Sequence, residues 1–290
     1  MPESPIASVV IPVRNGADVL HLELAALAVQ QTDYPFEVVV ADNGSTDATR
    51  TVAESWGDRL NLRVIDASGP ASVSTGRNAG GLAARGRYVM FCDADDEVEP
   101  GWVQAMVDGL QTADIVSGKL QFGKVNTPEV VEWYGYADST GLPTALDHRE
   151  YAMGGNMGIH ADLFAELGGF DETYRGGQEE VDFCWRALER GATIGFAPDA
   201  VLNYRLRKSY KGLRRQFYRY GWNYAKLYAT WRDHGIERNS LKAEIRNWLI
   251  LASRIPGLNT ENKRGRWVKN VAWGIGRIRG SIHFRVRCPL

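Results

Sequence analysis

The chain predicts an α/β fold: a Rossmann-like, mostly parallel sheet flanked by helices, followed by a basic helical C-terminal extension. Three observations carry this. Short apolar runs alternate with helical patterns through the first half, as strand–helix–strand units do. Polar residues, many of them acidic, follow the ends of those runs, where open α/β sheets bind ligands. The charge then reverses: residues 1–199 hold 13 Lys+Arg and 31 Asp+Glu, whereas residues 200–290 hold 21 and 4.

The elements follow in order. Ala7 to Pro12 reads as a buried strand ended by proline, and Val19 to Gln31 as a helix with Leu20, Leu24, Leu27 and Ala28 on one face. Phe36 to Ala41 is a second β-branched strand, Asp47 to Trp56 a helix and Leu62 to Ile65 a third strand. Ser74 to Ala84 is helical, Tyr88 to Cys92 a fourth strand and Trp102 to Leu110 a helix. The stretch 112–178 is richer in loop residues, with Gly154 to Gly158 expected as a flexible turn. Ala161 to Leu167 is a short helix closed by Gly168-Gly169, and Glu179 to Glu189 a helix with Val181, Cys184, Trp185 and Leu188 as its apolar face. Beyond 205 the pattern is helical, basic and aromatic. The expected division is 1–204 and 205–290, with the seam where the charge changes.

Composition narrows the class. With 44% hydrophobic and 24% charged residues and a net charge of −1, the chain is neither wholly disordered, collagen-like nor a multi-span membrane protein. No apolar run reaches the ~18 residues that cross a bilayer, and the first residues lack the pattern of a secretory signal. Three scattered cysteines, Cys92, Cys184 and Cys288, argue against a disulfide framework and fit a reducing cytoplasm. Neither Cys nor His spacing suits a zinc site.

The acids after the strands carry the chemistry. Asp93-Ala94-Asp95 follows an apolar strand, and Asp42 stands on the neighbouring rim. Two carboxylates at one turn repel unless a cation lies between them. Mg²⁺ takes one or two carboxylates together with substrate phosphates. The structural alternative is that Asp95 or Asp96 caps the helix starting near Pro100. Glu179-Glu180-Val181-Asp182 opens a helix, where the macrodipole favours acids; the functional alternative is a general base pointing into the cleft. Asp182 and Arg186, four apart, suit an ion pair. Gly-x-Gly-x-x-Gly, the Walker glycine loop and Gly-x-Ser-x-Gly are all absent, so a metal and side chains would have to do any phosphate work.

Several motifs in the right order make the sequence resemble the family 2 glycosyltransferases, which have the GT-A fold. They are Ser8 to Asn15, Val38 to Asp47, Gly76-Arg77-Asn78-Ala79-Gly80, Phe91 to Asp96, Gly168 to Glu172, and Glu179 to Asp182. The resemblance covers roughly residues 6–200 and implies inverting transfer of a sugar from a nucleotide-diphosphate donor. It implies that Pro12, Val13, Asn15 and Asp42 cradle the nucleoside, that Arg77 contacts the nucleotide side, and that Asp93, Ala94 and Asp95 form the Asp-x-Asp motif, with Mg²⁺ or Mn²⁺ at Asp95 and Asp93. The base is one of Glu179 and Glu180, the second matching the family position, where Asp is commoner. Many relatives place a His some twenty residues on. This chain has Arg205 and Arg207 there, and guanidinium suits a diphosphate.

The basic end interleaves Arg and Lys with Tyr, Trp and Phe. Cationic amphipathic segments of this kind lie on anionic membranes; the plainer reading is a solvated helical face. The expected partners are therefore a nucleotide-sugar donor, a glycan or lipid-linked acceptor and an anionic membrane surface. The expected location is cytoplasmic, peripheral on the inner face of the cell membrane, in cell-surface polysaccharide or glycolipid assembly. Nucleic acid is not expected, because the acids at the strand ends have no place in that reading. A nucleotidyltransferase would need a basic activating loop after the first strand, where only Arg14 stands.

Overall fold

The computed structural model describes residues 4–237 and 240–289 of the chain. The order is β1 (Ala7–Val13), α1 (Leu20–Leu27), β2 (Phe36–Asp42), α2 (Thr49–Glu54), β3 (Leu62–Asp66), α3 (Val73–Ala83), β4 (Tyr88–Cys92), β5 (Glu97–Val98), α4 (Trp102–Leu110) and β6 (Ile115–Gln121). Then come α5 (Pro128–Tyr134), the small hairpin β7 (Thr144–Ala145) and β8 (Arg149–Glu150), β9 (Asn156–His160), α6 (Ala161–Glu166), α7 (Glu179–Glu189), β10 (Ile194–Asn203), α8 (Tyr210–Trp231), α9 (Leu241–Ser253) and α10 (Glu261–Phe284).

Eight strands form one sheet in the order β3-β2-β1-β4-β9-β6-β10-β5. It is mostly parallel, as expected; β9 and β5 run antiparallel to their neighbours. Along β1, Val9 and Ile11 join one apolar cluster with Val38, Val40 and Met90, while Val10 faces another with Val39, Val89 and Phe91. Both faces are therefore covered, which is why these strands read as unbroken apolar runs.

Three expectations change. The first two helices after β1 and β2 are shorter than their patterns, ending at Leu27 and Glu54. Neither Asp95 nor Asp96 caps α4, which Gly101 precedes in a left-handed conformation; Asp96 instead accepts the backbone N–H of Arg205 at 2.7 Å. Only Gly154-Gly155 forms the expected turn, since Asn156 to His160 is the central strand β9. Asn156 is buried there because its amide answers three groups: its oxygen accepts from Trp102 Nε1 at 2.7 Å, and its nitrogen donates to the carbonyls of Lys119 and Ala200 at 3.0 and 3.2 Å.

The basic extension folds back on the sheet domain. Trp231 of α8 meets Trp185 of α7 edge-on and donates to Asp182 Oδ1 at 3.0 Å. Asp182 also pairs with Arg186 at 2.9 Å, the i, i+4 pair read from the sequence. Helices α8 and α10 run parallel, and their closest approach needs glycine: a Cβ on Gly221 or Gly276 would collide with the backbone of the other helix.

Candidate active site

The strand ends build one rim. Pro12 and Val13 end β1 and are buried. Asn15 follows at φ 53°, a region Asn tolerates. Its Oδ1 accepts the N–H of Thr46 at 2.8 Å, and its own N–H donates to Ser45 Oγ at 2.9 Å. Asp42 at the end of β2 accepts the Ser45 N–H at 2.9 Å. These bonds tie the two loops together and bring Pro12, Val13, Asn15 and Asp42 side by side.

Arg77 organises the next part. It projects from α3, is 4% exposed, and donates to Asp93 Oδ1 at 2.8 Å and to Glu179 Oε1 at 3.3 Å. Burial alone would favour losing the proton, but Asp93 and then Glu179 hold the guanidinium more firmly charged than usual. Glu179 is fully engaged, for its other oxygen accepts the Gly177 N–H at 2.8 Å. Glu180 differs: among the described residues no other side chain pairs or hydrogen-bonds with it, and it accepts from its own backbone N–H. Burial, and then the charge of Glu179, push it up to about 8.

Gly154-Gly155 crosses directly over this cluster. A Cβ on Gly154 would lie 2.8 Å from Arg77 Nη1 and 3.0 Å from Glu180 Cβ, and one on Gly155 would lie 3.0 Å from Asp93 Oδ2. The backbone can sit there only without side chains. Arg77, Asp93 and Glu180, distant in sequence, thus border one small space.

The outer edge is the turn after β4. Ala94 is buried; Asp95 Oδ2 pairs with Arg207 Nη1 at 2.6 Å. Burial raises Asp95, against the pull of Arg207, and raises the wholly enclosed Asp96 further, with Asp95 and Asp93 adding to it. Arg205 donates to the Asp95 carbonyl at 2.7 Å and pairs with Glu97. Arg205 is thus fixed along the rim, whereas Arg207 reaches Asp95 from an exposed position. Among the described residues no three His, Cys or acidic side chains converge as a metal cage. Asp93 Oδ2 and Asp95 Oδ1 nevertheless stand outside the ion pairs, and two such oxygens fit a hard cation whose other ligands are phosphate and water.

Sequence reasoning missed the groups that close the cleft. Tyr220 of α8 lies over Gly177, where a Cβ would come 2.6 Å from its ring, and its hydroxyl accepts from Gln216 at 2.9 Å. Burial chiefly, and the carboxylate of Glu180 in part, push Tyr220 up to about 12. In the sequence Asn78 stands out only as part of a motif. It clasps the Gly168 to Glu172 turn through the Phe170 N–H at 2.8 Å and the Phe170 carbonyl at 2.9 Å, and so fixes α3 against the loop that leads to Glu179. The glycine pair at 154–155 was the one visible signal, read as flexibility rather than close approach.

A mostly parallel sheet flanked by helices, with acids gathered at the carboxyl ends of its strands, defines the class: a glycosyltransferase of GT-A fold. The family model "Glycosyl transferase family 2" matches residues 8–168, and the chain belongs to that family. It is 26% identical over 219 residues to the glycosyltransferase AglE of Haloferax volcanii, covering 73% of this chain and 71% of that one. It is 32% identical over 220 residues to the validoxylamine A glucosyltransferase of Streptomyces hygroscopicus subsp. jinggangensis, covering 64% of this chain and about half, 52%, of that one. Among solved structures, the mannosyltransferase PcManGT from Pyrobaculum calidifontis, in complex with GDP-Man and Mn²⁺, superposes with a TM-score of 0.66 at 18% identity, over 96% of this chain and 87% of that one. That likeness is one of fold.

Proposed function

We propose that the protein transfers a hexose from a nucleotide-diphosphate donor to an acceptor hydroxyl with inversion at the anomeric carbon. The observation that carries this is the contrast between two adjacent acids. Burial raises both, but Glu179 is spent on Arg77 and the Gly177 N–H, while among the described residues Glu180 beside it has no side-chain partner and is pushed up to about 8. A general base works best with a pKa near the working pH. Pro12, Val13, Asn15 and Asp42 form the nucleoside side of the cleft, and Arg77 orients Asp93 through their ion pair at 2.8 Å. Asp93 and Asp95 would hold Mg²⁺ or Mn²⁺, which supplies positive charge to a departing diphosphate. The PcManGT complex, with GDP-Man and Mn²⁺, supports that use of the site.

The acceptor hydroxyl attacks from the face opposite the diphosphate while Glu180 takes its proton. The donor's C1–O bond breaks and a nucleoside diphosphate leaves. Arg207 can turn from Asp95 to the phosphates, since its side chain is 54% exposed. The acceptor is taken to be a glycan or lipid-linked sugar in cell-surface polysaccharide or glycolipid assembly, with the protein peripheral at the cytoplasmic face of the membrane. The basic extension supports that part.

The test is a panel of nucleotide sugars screened for thermal stabilisation with Mg²⁺ or Mn²⁺, followed by turnover with lipid-linked and soluble acceptors. Glu180→Gln should leave donor binding intact and lower kcat ~10²–10⁴-fold. Full activity in that variant would remove Glu180 as the base. Release of pyrophosphate rather than a nucleoside diphosphate would mark a nucleotidyltransferase instead.

A further inference from the structure

The surface far from the cleft has an unbalanced composition. Of the nine large hydrophobic residues exposed among the described residues, six lie between 245 and 282: Ile245, Leu249, Ile250, Ile255, Ile275 and Ile282. Contacts of Glu244 with Arg277, Trp248 with Gly274, and the Leu251 carbonyl with Trp267 set α9 antiparallel to α10. In that register, and with right-handed helices of 3.6 residues per turn, Ile245 and Leu249 emerge on the same side of the pair as Ile275 and Ile282. Helix α8, which joins this pair to the catalytic cleft, packs on a different face of α10. The result is one apolar strip on the outer side, with Leu249 65% and Ile282 73% exposed. Exposed apolar residues gathered in this way mark a contact surface.

Charge says what the contact is with. Residues 240–289 contain 11 Lys or Arg and only two acids, Glu244 and Glu261, and Glu244 is already bound to Arg277. At the Ile282 end, the strip opens into a recess of about 450 Å³ lined by Tyr228, Ile282, Val286 and three arginines, Arg232, Arg285 and Arg287. A second copy of this chain would bring a like excess of positive charge against the first, which is repulsive. An anionic bilayer supplies both phosphate for the arginines and hydrocarbon for the isoleucines.

We infer that the outer face of α9 and the C-terminal half of α10 dock on an anionic phospholipid membrane, with Ile245, Leu249, Ile275 and Ile282 entering the interface and a lipid phosphate seated among Arg232, Arg285 and Arg287. No described helix is long and apolar enough to cross a membrane, so this is adsorption from one side. The surface is separate from the acid cluster, and the inference stands whether or not the sugar-transfer reading does.

The test is co-sedimentation of the full chain with phosphatidylcholine vesicles, with and without phosphatidylglycerol. Binding should require phosphatidylglycerol and weaken as salt shortens the Debye length. Leu249→Asp with Ile282→Asp should lower partitioning by on the order of tenfold or more, and Arg285→Ala with Arg287→Ala by about fivefold per charge, at unchanged melting temperature. Inorganic phosphate at matched ionic strength should not compete. Equal binding to both vesicle types, or none to either, overturns the inference on the unmodified protein alone. So does competition by inorganic phosphate, which would make the recess a soluble-anion site. A dimer by ultracentrifugation that the Leu249/Ile282 variant dissociates would overturn it in favour of self-association.

Discussion

Two neighbouring glutamates are both raised by burial, and they differ in what their oxygens touch. Glu179 is paired with Arg77; among the described residues Glu180 has no such side-chain partner, and burial, with the charge of Glu179 beside it, pushes it up to about 8. A base must be ionised to act, so kcat/KM should rise with pH up to about 8 and then level. A pH profile of the free enzyme checks this, and a flat profile between pH 6 and about 8 would point to another proton acceptor. Gly154 gives a second prediction at this scale. In Gly154→Ala the new methyl meets Arg77 Nη1 at 2.8 Å and must displace it or the loop. Misplacement of a site group by about 1 Å costs ~10²-fold in rate, so kcat/KM should fall by about that factor while circular dichroism shows the fold intact.

At the scale of elements, β9 is the least expected piece and the one that completes the sheet. It joins β4 to β6 by antiparallel pairing on both sides, and its mouth, Gly154-Gly155, lies against the acids. Its sequence, Asn156-Met157-Gly158-Ile159-His160, has the Asn and Gly of a turn. Gly158 is accommodated because Leu110 of α4 fills the place a side chain would take, 2.8 Å from a Cβ there. Asn156 is accommodated because Trp102 and two carbonyls take up its amide. Asn156→Ala should therefore strand the Trp102 N–H and those carbonyls in the interior. Each unsatisfied buried group costs ~1–3 kcal/mol, so urea denaturation should register a loss of at least about 2 kcal/mol. A loss below about 0.5 kcal/mol would mean that the three bonds contribute little.

The whole molecule carries a pH dependence of its own through Glu23. This residue of α1 is fully buried beside Cys92, accepts the Val98 N–H at 3.1 Å, and is pushed by burial from 4.5 up to about 8. The folded protein keeps that proton where the unfolded chain has released it. The contribution is thus complete below about 4.5 and is lost as pH rises through about 8. At ~1.4 kcal/mol per pH unit, the loss is about 5 kcal/mol at most. Glu23→Gln, which has no proton to lose, should flatten the fall in melting temperature between pH 5 and about 9; an unchanged slope would place the dependence elsewhere. The sequence by itself determined the alternation of strands and helices through residue 110, the apolar faces, the acids at the strand ends and the basic extension. Periodicity and motif order are local properties, written in consecutive residues. Only the tertiary structure decided which glutamate is engaged, that Gly154-Gly155 closes on Arg77, that Asp96 turns inward to a backbone N–H and that Tyr220 reaches the cleft from α8. Those facts depend on which distant groups meet, and on how much water their meeting excludes, and neither quantity is carried by any one stretch of chain.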